Sequence, residues 1–101
     1  MQTRFEWNPV KAASNLRKHR VSFGLALRVF ADSRACSEID RIEDGEQRWQ
    51  TIGMVESHLL LLVAHTVWDD EEDGLPVEVI RIISARKATR NERQRYERQD
   101  G

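Results

Sequence analysis

The sequence predicts a single α+β domain, because its hydrophobic pattern changes from helical spacing to strand-like runs and then to a helix signal. At 101 residues the chain is long enough for one domain and too short for two. A hydrophobic fraction of 40% suffices to fill one core. We therefore expect one domain over residues 1–101, with helices near both ends of the chain and a sheet between them.

Two short helices are predicted after a short first strand. Residues 4–7 alternate as in a strand, and Asn8-Pro9 then supplies an N-cap followed by a proline at the first helical position. The first helix is expected to end near residue 18. Ser22 is the next N-cap candidate, and the apolar residues after it keep helical spacing to residue 30. Together these signals predict a helical hairpin connected at Arg20-Val21.

The middle of the chain predicts strands. A weak strand is expected at residues 35–39, and stronger strands are expected at 48–55, 59–67 and 77–83. The last two are rich in Leu, Val and Ile, as in strands buried on both faces. The polar segments 40–47 and 69–75 are predicted loops, and the first contains the turn signal Asp44-Gly45.

A third helix is predicted at the end of the chain. It opens with Thr89-Arg90-Asn91-Glu92, which has the S/T-x-x-E spacing of a capping box, and continues to about residue 99. Only Ala88 and Tyr96 are apolar in this segment. Burial contributes little to so polar a helix, so it frays, docks through Tyr96 or is held by a partner.

Composition excludes several classes of protein. The single cysteine, Cys36, forms no intramolecular disulfide and supplies one metal ligand at most. The longest apolar run, residues 59–64, is far shorter than the roughly 20 residues that span a bilayer. Residues 1–10 lack a secretory apolar segment. We therefore expect a soluble, cytoplasmic protein that binds neither metal nor membrane.

The net charge of −1 conceals a segregation of charge along the chain. Residues 1–36 carry a balance of +5, residues 37–80 carry −10, and residues 81–101 carry +4. If the two ends of the chain meet in the fold, they form a basic surface suited to a polyanion. Alternatively, these charges are ordinary solvated surface. The acidic run 69–73 would weaken RNA binding unless it points away from the bound RNA. In that orientation it would suit a basic partner.

Known enzyme motifs are absent from the sequence. It contains no phosphate-binding glycine loop, no zinc-protease motif and no nucleophile elbow, so no cofactor is expected. The remaining polar residues suit metal-independent cleavage of RNA. That reaction needs a base for the 2′-hydroxyl proton, cations for the phosphorane and an acid for the leaving 5′-oxygen. Histidine titrates near neutrality, and arginine binds phosphate through a planar fork.

The candidates for that chemistry are His65, Arg48, Arg81 and Arg86, with Arg81 and Arg86 expected to hold the phosphate and His65 to transfer protons. His65 shares one face of its predicted strand with Leu61, Val63 and Val67. There it is either a general acid or base, or a hydrogen-bonded core residue. Arg81 interrupts an apolar strand face, which makes it either a phosphate clamp or half of a buried ion pair.

A second group of residues is predicted either to contact RNA or to be solvated surface. Arg86 and Lys87 follow the last strand, at a junction where helix amides can face an anion. Lys11 and Lys18 lie about two turns apart on one helix face. The other members of this group are His19 and Arg48. Tyr96 either anchors the last helix by packing or reaches the substrate through its hydroxyl.

Three segments together resemble the BrnT toxin family. The first contains Phe5-Glu6-Trp7-Asn8-Pro9, Lys11, Asn15, Lys18-His19, Val21, Phe23 and Ala26. The second contains Phe30, Asp32, Arg48, Gly53 and the strand from Leu62 to Thr66. The third contains Arg81-Ile82-Ile83-Ser84-Ala85-Arg86, Ala88, Glu92-Arg93 and Tyr96. The chain departs from the family where the usual histidine-glycine pair reads His19-Arg20.

The resemblance implies a RelE-like fold, with an N-terminal helical hairpin and a C-terminal helix packed on an antiparallel sheet. It implies the toxin of a bacterial type II toxin-antitoxin system, a metal-independent endoribonuclease that inhibits translation and arrests growth. The implied partners are RNA and a BrnA-like ribbon-helix-helix antitoxin, with operator DNA bound only through the antitoxin complex. Dependence on the ribosome stays open.

The resemblance also assigns candidate residues. Six residues occupy matching motif positions and inherit candidate roles: Lys11, Lys18, His19, Arg48, Arg81 and Arg86. Proton transfer by His65 rests on its chemistry alone. A catalytically inactive module that binds RNA or the antitoxin is the alternative function. A titratable group within reach of Arg81 and Arg86 distinguishes the enzyme from that module.

Overall fold

The computed structural model describes residues 2–99, which form five strands and three helices. The strands are β1 (Gln2–Trp7), β2 (Cys36–Glu43), β3 (Glu46–Glu56), β4 (Leu59–Glu72) and β5 (Leu75–Lys87). The helices are α1 (Pro9–His19), α2 (Phe23–Ala26) and α3 (Arg90–Arg98), and a 3-10 turn over Leu27–Ala31 directly follows α2. The α+β prediction is confirmed. Across the described residues, no helix is both long and apolar enough to cross a membrane.

The strands form one mixed sheet in the order β1-β5-β4-β3-β2. β2 to β5 are antiparallel neighbours, but β1 pairs in parallel with β5, with Gln2 opposite Val77 and Trp7 opposite Ile82. The prediction of an antiparallel sheet is therefore wrong at this edge. Tight hairpins force the antiparallel pairing of β2 to β5. No hairpin joins β1 to β5, so packing alone sets their relative direction.

The polar segments 40–47 and 69–75 are mostly strand, so the two loop predictions are wrong. Each hairpin turns through only two residues. Asp44 and Gly45 have φ of 52° and 78°, and Asp73 and Gly74 have φ of 51° and 77°. Two successive positive φ values are typical of the type I′ hairpin turn, which Asp-Gly favours. The flanking polar residues therefore stay paired in the sheet, where most of them are exposed.

The two faces of the sheet are covered differently. On the helical face, which includes Leu61, Val63, His65 and Val67 of β4, α1, α2 and the 3-10 turn bury the larger core cluster. Nine residues form that cluster: Val21, Phe23, Ala26, Val29, Val55, Leu61, Val63, Ile82 and Ala85. On the open face, which includes Leu60, Leu62, Thr66 and Trp68, α3 covers one end, where Tyr96 packs with Ile52, Leu60 and Leu62.

Two contacts connect the 3-10 turn to the rest of the fold. A Cβ on Gly53 would lie 2.8 Å from the carbonyl oxygen of Val29, so only glycine lets the turn pack this closely on β3. Just after the turn, the Asp32 carboxylate accepts hydrogen bonds from the Met54 N–H at 2.8 Å and the Tyr96 hydroxyl at 2.6 Å. Of the three alternatives for α3, the structure shows docking through Tyr96, and the predicted capping box at Thr89 is confirmed.

Arg20 ends α1 in a conformation that favours glycine. It has φ of 60° and ψ of 27°, and its N–H donates to the Leu16 carbonyl. A side chain with a Cβ costs about 1 kcal/mol or more in this region. We therefore expect Arg20→Gly to raise the free energy of unfolding by about 1 kcal/mol, measured by urea denaturation. Arg17→Gly, inside the same helix, should lower it by a similar amount. An equal loss in both variants would contradict this account.

Candidate nucleic-acid interface

A β-bulge in β5 places two of the predicted site residues on the same face. Ser84 pairs with Ala64, and Ile82 pairs with His65, so Ile83 is an extra residue in β5. Residues five apart in a regular strand would lie on opposite faces of the sheet. Because of the bulge, Arg81 and Arg86 both lie on the open face.

A polar groove lies where the end of β1 meets α1 and β5. It has a volume of about 470 Å³ and is lined by Glu6, Trp7, Asn8, Lys11, Arg81, Ile82 and Ile83. Glu6 is directly opposite Arg81 in the parallel pairing of β1 with β5. Lys11 comes from the first turn of α1, which contains no acidic residue. The groove therefore combines one carboxylate with two cations and the positive end of a helix.

Arg81 is oriented by two neighbours. Its Nε lies 3.8 Å from Oε1 of Glu6, and its guanidinium carbon lies 5.3 Å from the centre of the Trp68 ring. The second contact is a cation–π interaction. The Arg81 side chain is 47% exposed, so it remains accessible to an anion. We call Glu6, Lys11 and Arg81 the groove triad.

Arg48 lies on the open face but outside the groove. It is on β3, which is separated from β5 by β4, so it lies roughly 10 Å from Arg81 across the sheet. Its side chain is 19% exposed and forms ion pairs with Glu43 at 3.6 Å and Glu46 at 3.4 Å. Thr66 faces Arg81 from β4. Arg48 Nε and Thr66 Oγ1 are buried without a hydrogen-bond partner among residues 2–99.

Arg86 is already paired within the fold. Its two terminal nitrogens donate to the two carboxylate oxygens of Glu92 at 2.8 and 2.9 Å, which connects β5 to α3. This bidentate pair lowers the pKa of Glu92 to about 2. Arg86 lies five residues beyond Arg81, or roughly 15 Å along the strand, and does not line the groove.

Three other predicted RNA-binding residues lie outside the groove. Lys18 is exposed in the last turn of α1, and His19 ends that helix half-buried. Lys87 is exposed at the end of β5. Of the six residues to which the resemblance gave candidate roles, the structure therefore brings only Lys11 and Arg81 into this groove.

His65 lies on the helical face, away from both arginines. It is 2% exposed, and its Nε2 is 2.7 Å from the hydroxyl of Thr51. The Phe30 ring packs against the imidazole edge-on, with centroids 4.9 Å apart. Burial lowers the pKa of His65 to about 4, so the imidazole is neutral at pH 7. The position fits the hydrogen-bonded core histidine, which was one of the two alternatives for this residue.

The low pKa of His65 predicts a pH dependence of stability. In the unfolded chain the imidazole takes up a proton near pH 6.5, but in the folded protein it does so only near pH 4. The contribution of His65 to the free energy of unfolding is therefore constant above pH 6.5. It falls by about 3 kcal/mol in total as the pH decreases from 6.5 to 4.

Urea denaturation at several pH values tests this dependence on His65. The free energy of unfolding of the wild type minus that of His65→Gln should decrease between pH 6.5 and 4, and this decrease is the contribution of His65. His58→Gln, in the exposed turn between β3 and β4, is the matched control and should retain the wild-type loss. Parallel curves for His65→Gln and the wild type would contradict burial as the cause.

The sequence analysis missed Glu6 as a functional candidate. Its place beside Arg81 depends on the pairing of β1 with β5, which local sequence signals do not reveal. One signal was available, because Glu6 and Asp32 are the only carboxylates in residues 1–36. The Asp32 carboxylate is bound within the fold by Met54 and Tyr96, which leaves Glu6 as the carboxylate available to a ligand.

Comparison with known proteins identifies similar sequences and folds. Residues 7–92 match a protein family described as the ribonuclease toxin, BrnT, of type II toxin-antitoxin systems. Among solved structures, the chain is similar to the crystal structure of the Brucella abortus ribonuclease toxin BrnT, with a TM-score of 0.55 and 15% sequence identity. That alignment covers 89% of this chain and 100% of the Brucella chain. No curated protein sequence matches this chain.

Proposed function

Because the chain belongs to the BrnT family of ribonuclease toxins of type II toxin-antitoxin systems, we propose that it cuts RNA at the groove triad. The observation that carries this proposal is the groove itself, in which Glu6, Lys11 and Arg81 line one polar cleft. A carboxylate can accept a proton, and the two cations can hold a phosphate. These are the groups that cleavage of RNA through its own 2′-hydroxyl requires.

The proposed reaction is a transesterification without a metal ion. The Glu6 carboxylate accepts the 2′-hydroxyl proton, and the 2′-oxygen then attacks the adjacent phosphorus. Arg81 and Lys11 stabilise the charge that develops on the phosphorane oxygens. The bond to the 5′-oxygen breaks, and that oxygen takes a proton from Lys11 or from water. The products are a 2′,3′-cyclic phosphate and a free 5′-hydroxyl.

The other basic residues are assigned to binding or to folding. Arg48 lies on the open face and would contact RNA that extends across it only by exchanging its ion pairs with Glu43 and Glu46. Arg86 would contact phosphate only by exchanging its pair with Glu92. Lys18, His19 and Lys87 contribute long-range attraction at most. We assign His65 to the core and not to proton transfer.

In the cell, the proposed reaction stops translation by destroying RNA, and growth arrest follows. Type II systems pair the toxin with a protein antitoxin. We propose a BrnA-like ribbon-helix-helix partner, with operator DNA bound only through the complex, in the cytoplasm. All members of the triad come from one chain, so naked RNA is the first substrate to test and ribosome-bound RNA is the second.

Cleavage of a defined single-stranded RNA in EDTA tests the proposed function. The wild type should yield fragments that end in 2′,3′-cyclic phosphate. Arg81→Ala should be slower by at least about 100-fold, the effect of removing one donor to a developing oxyanion. Arg98→Ala, an exposed arginine on α3, should cut like the wild type.

Equal rates for Arg81→Ala and the wild type would contradict the assignment of the groove. If the wild type leaves RNA intact, the same assay with ribosomes follows. Tight binding without cleavage in both assays would favour the alternative, a catalytically inactive module that binds RNA.

A further inference from the structure

Part of the helical face is not covered by any helix. Beyond Phe30 the sheet continues as a groove of about 310 Å³, in which Phe30, Trp49, Val67 and Ile80 form an apolar floor. Ser37, His65 and Glu78 also line it. A second groove of about 440 Å³ adjoins it, shares Phe30, Glu78 and Ile80, and is also lined by Arg28 of the 3-10 turn. We call the two together the distal groove. It lies on the opposite face of the sheet from Glu6 and Arg81.

Exposed apolar side chains of β2 and β4 lie on the same face of the sheet as the distal groove. Ile39, opposite Trp49 in the β2–β3 pair, is 49% exposed, and Ile42 is 67% exposed. Val67 is 36% exposed. A contiguous exposed apolar surface of this kind is typical of an interaction site. Aromatic side chains such as Phe30 and Trp49 are typical anchors in such sites.

Strand alternation divides the acidic run 69–73 between the two faces. On the open face, Asp70 and Glu72 both form ion pairs with Arg4, the first at 3.1 Å. On the helical face, Asp69 lies directly opposite Glu78, which lines both parts of the distal groove. Within residues 2–99, neither Asp69 nor Glu78 forms an ion pair.

This charge arrangement indicates the chemistry of the missing partner. Like charges directly opposite each other destabilise a strand pair. The repulsion between Asp69 and Glu78 is therefore a local cost that a cation from a partner would relieve. Arg28 lines the groove beside Glu78 but forms no ion pair with it, so two carboxylates against one cation leave the site negative. An apolar floor beside this excess of negative charge fits a peptide segment that carries apolar side chains next to lysine or arginine. The same negative charge disfavours RNA at this surface.

We propose that the distal groove binds the antitoxin through a segment in which apolar side chains flank lysine or arginine. The apolar side chains pack on Trp49, Val67 and Phe30, and the cation lies between Asp69 and Glu78. The docking surface is then separate from the groove triad, because Glu6 and Arg81 lie on the other face of the sheet and the two grooves share no lining residue. Of the acidic run, Asp69 takes part in docking, while Asp70 and Glu72 stay on the open face in ion pairs with Arg4.

Binding of the antitoxin encoded by the adjacent gene, purified and fluorescently labelled, tests this inference. Glu78→Lys and Val67→Asp should each weaken binding by about tenfold or more, since each change removes complementarity in charge or packing. The matched controls Glu97→Lys and Val10→Asp make the same changes at exposed positions outside the groove and should bind like the wild type. Glu78→Lys, Val67→Asp and Glu97→Lys should cut RNA at the wild-type rate. Val10→Asp is a control for antitoxin binding alone, because it adds a carboxylate to the first turn of α1 beside Lys11.

Urea denaturation and the cleavage assay distinguish a loss of antitoxin binding from a loss of folding or of activity. Glu78→Lys replaces the repulsion from Asp69 by attraction, so it should unfold at the same urea concentration as the wild type or higher. If the groove variants lose antitoxin binding while the wild type fails to cut RNA, the docking inference stands and the proposed function fails. Wild-type antitoxin affinity in both groove variants would overturn the inference. So would a dimer of the isolated protein that Val67→Asp converts to monomer, because a second copy would then occupy the groove.

Discussion

Glu6→Gln is expected to lower kcat for RNA cleavage by at least about 100-fold, because a positioned general base contributes that much or more. The amide cannot accept the 2′-hydroxyl proton, although it keeps the size of the carboxylate. KM should change little, since Arg81 and Lys11 still bind the phosphate. Folding stability should also change little, because the Glu6–Arg81 ion pair is long at 3.8 Å and both side chains are more than 40% exposed. Steady-state kinetics and urea denaturation of the same preparations measure both quantities.

Glu38→Gln is the matched control for this variant. Glu38 is also an exposed strand carboxylate in an ion pair with an arginine, Arg95, at 2.8 Å. It lies on β2, at the opposite edge of the sheet from β1. The control should retain wild-type kcat. A folded Glu6→Gln protein with wild-type kcat would remove the proposed base, and an equal loss in both variants would indicate a general effect of negative charge.

Asn15→Asp is expected to lower the free energy of unfolding by about 3 kcal/mol or more, since each buried group left unsatisfied costs about 1–3 kcal/mol. Asn15 is buried in α1, beside the part of β5 that β1 does not reach. Its Nδ2 donates to the carbonyls of Val21 and Ala85, both at 2.9 Å, and its Oδ1 accepts from the Ala85 N–H at 3.1 Å. The side chain thus replaces a missing strand neighbour.

The aspartate would direct a carboxylate oxygen at two carbonyl oxygens, where the amide donated. Urea denaturation at neutral pH measures the loss. The control is Asn8→Asp, the same substitution at the N-cap of α1, where aspartate is as good a cap as asparagine. A loss below about 1 kcal/mol in Asn15→Asp, comparable to that of a surface change, would contradict the strand-replacing role.

The sequence predicted those elements whose signals are local. The cap at Asn8, the cap at Ser22 and the box at Thr89 each mark a helix start that the structure contains. Strand alternation correctly placed His65 with Leu61 and Val63. The strands are longer than predicted. The polar residues on either side of each Asp-Gly pair were predicted to be loops, but a two-residue turn leaves these residues paired in the sheet.

The candidate site was harder to predict, since it depends on long-range pairing. Glu6 meets Arg81 only because β1 adds to the far edge of the sheet in parallel. Arg86 shares a face with Arg81 only because Ile83 is bulged. Alternation predicted the neighbours of His65 on its own strand, but it did not reveal that Phe30 of the 3-10 turn packs on the imidazole. Neither the pairing nor the bulge has a local sequence signal, so Glu6 was missed and His65 was considered as a base.

The most direct test of the account compares His65→Gln with Arg81→Ala in single-turnover cleavage of RNA, at a pH and temperature where both are folded. We expect His65→Gln to cut within about threefold of the wild-type rate and Arg81→Ala to be slower by at least about 100-fold. A folded His65→Gln protein without activity, beside an active Arg81→Ala protein, would contradict this expectation. Catalysis would then belong to the helical face and not to the groove triad.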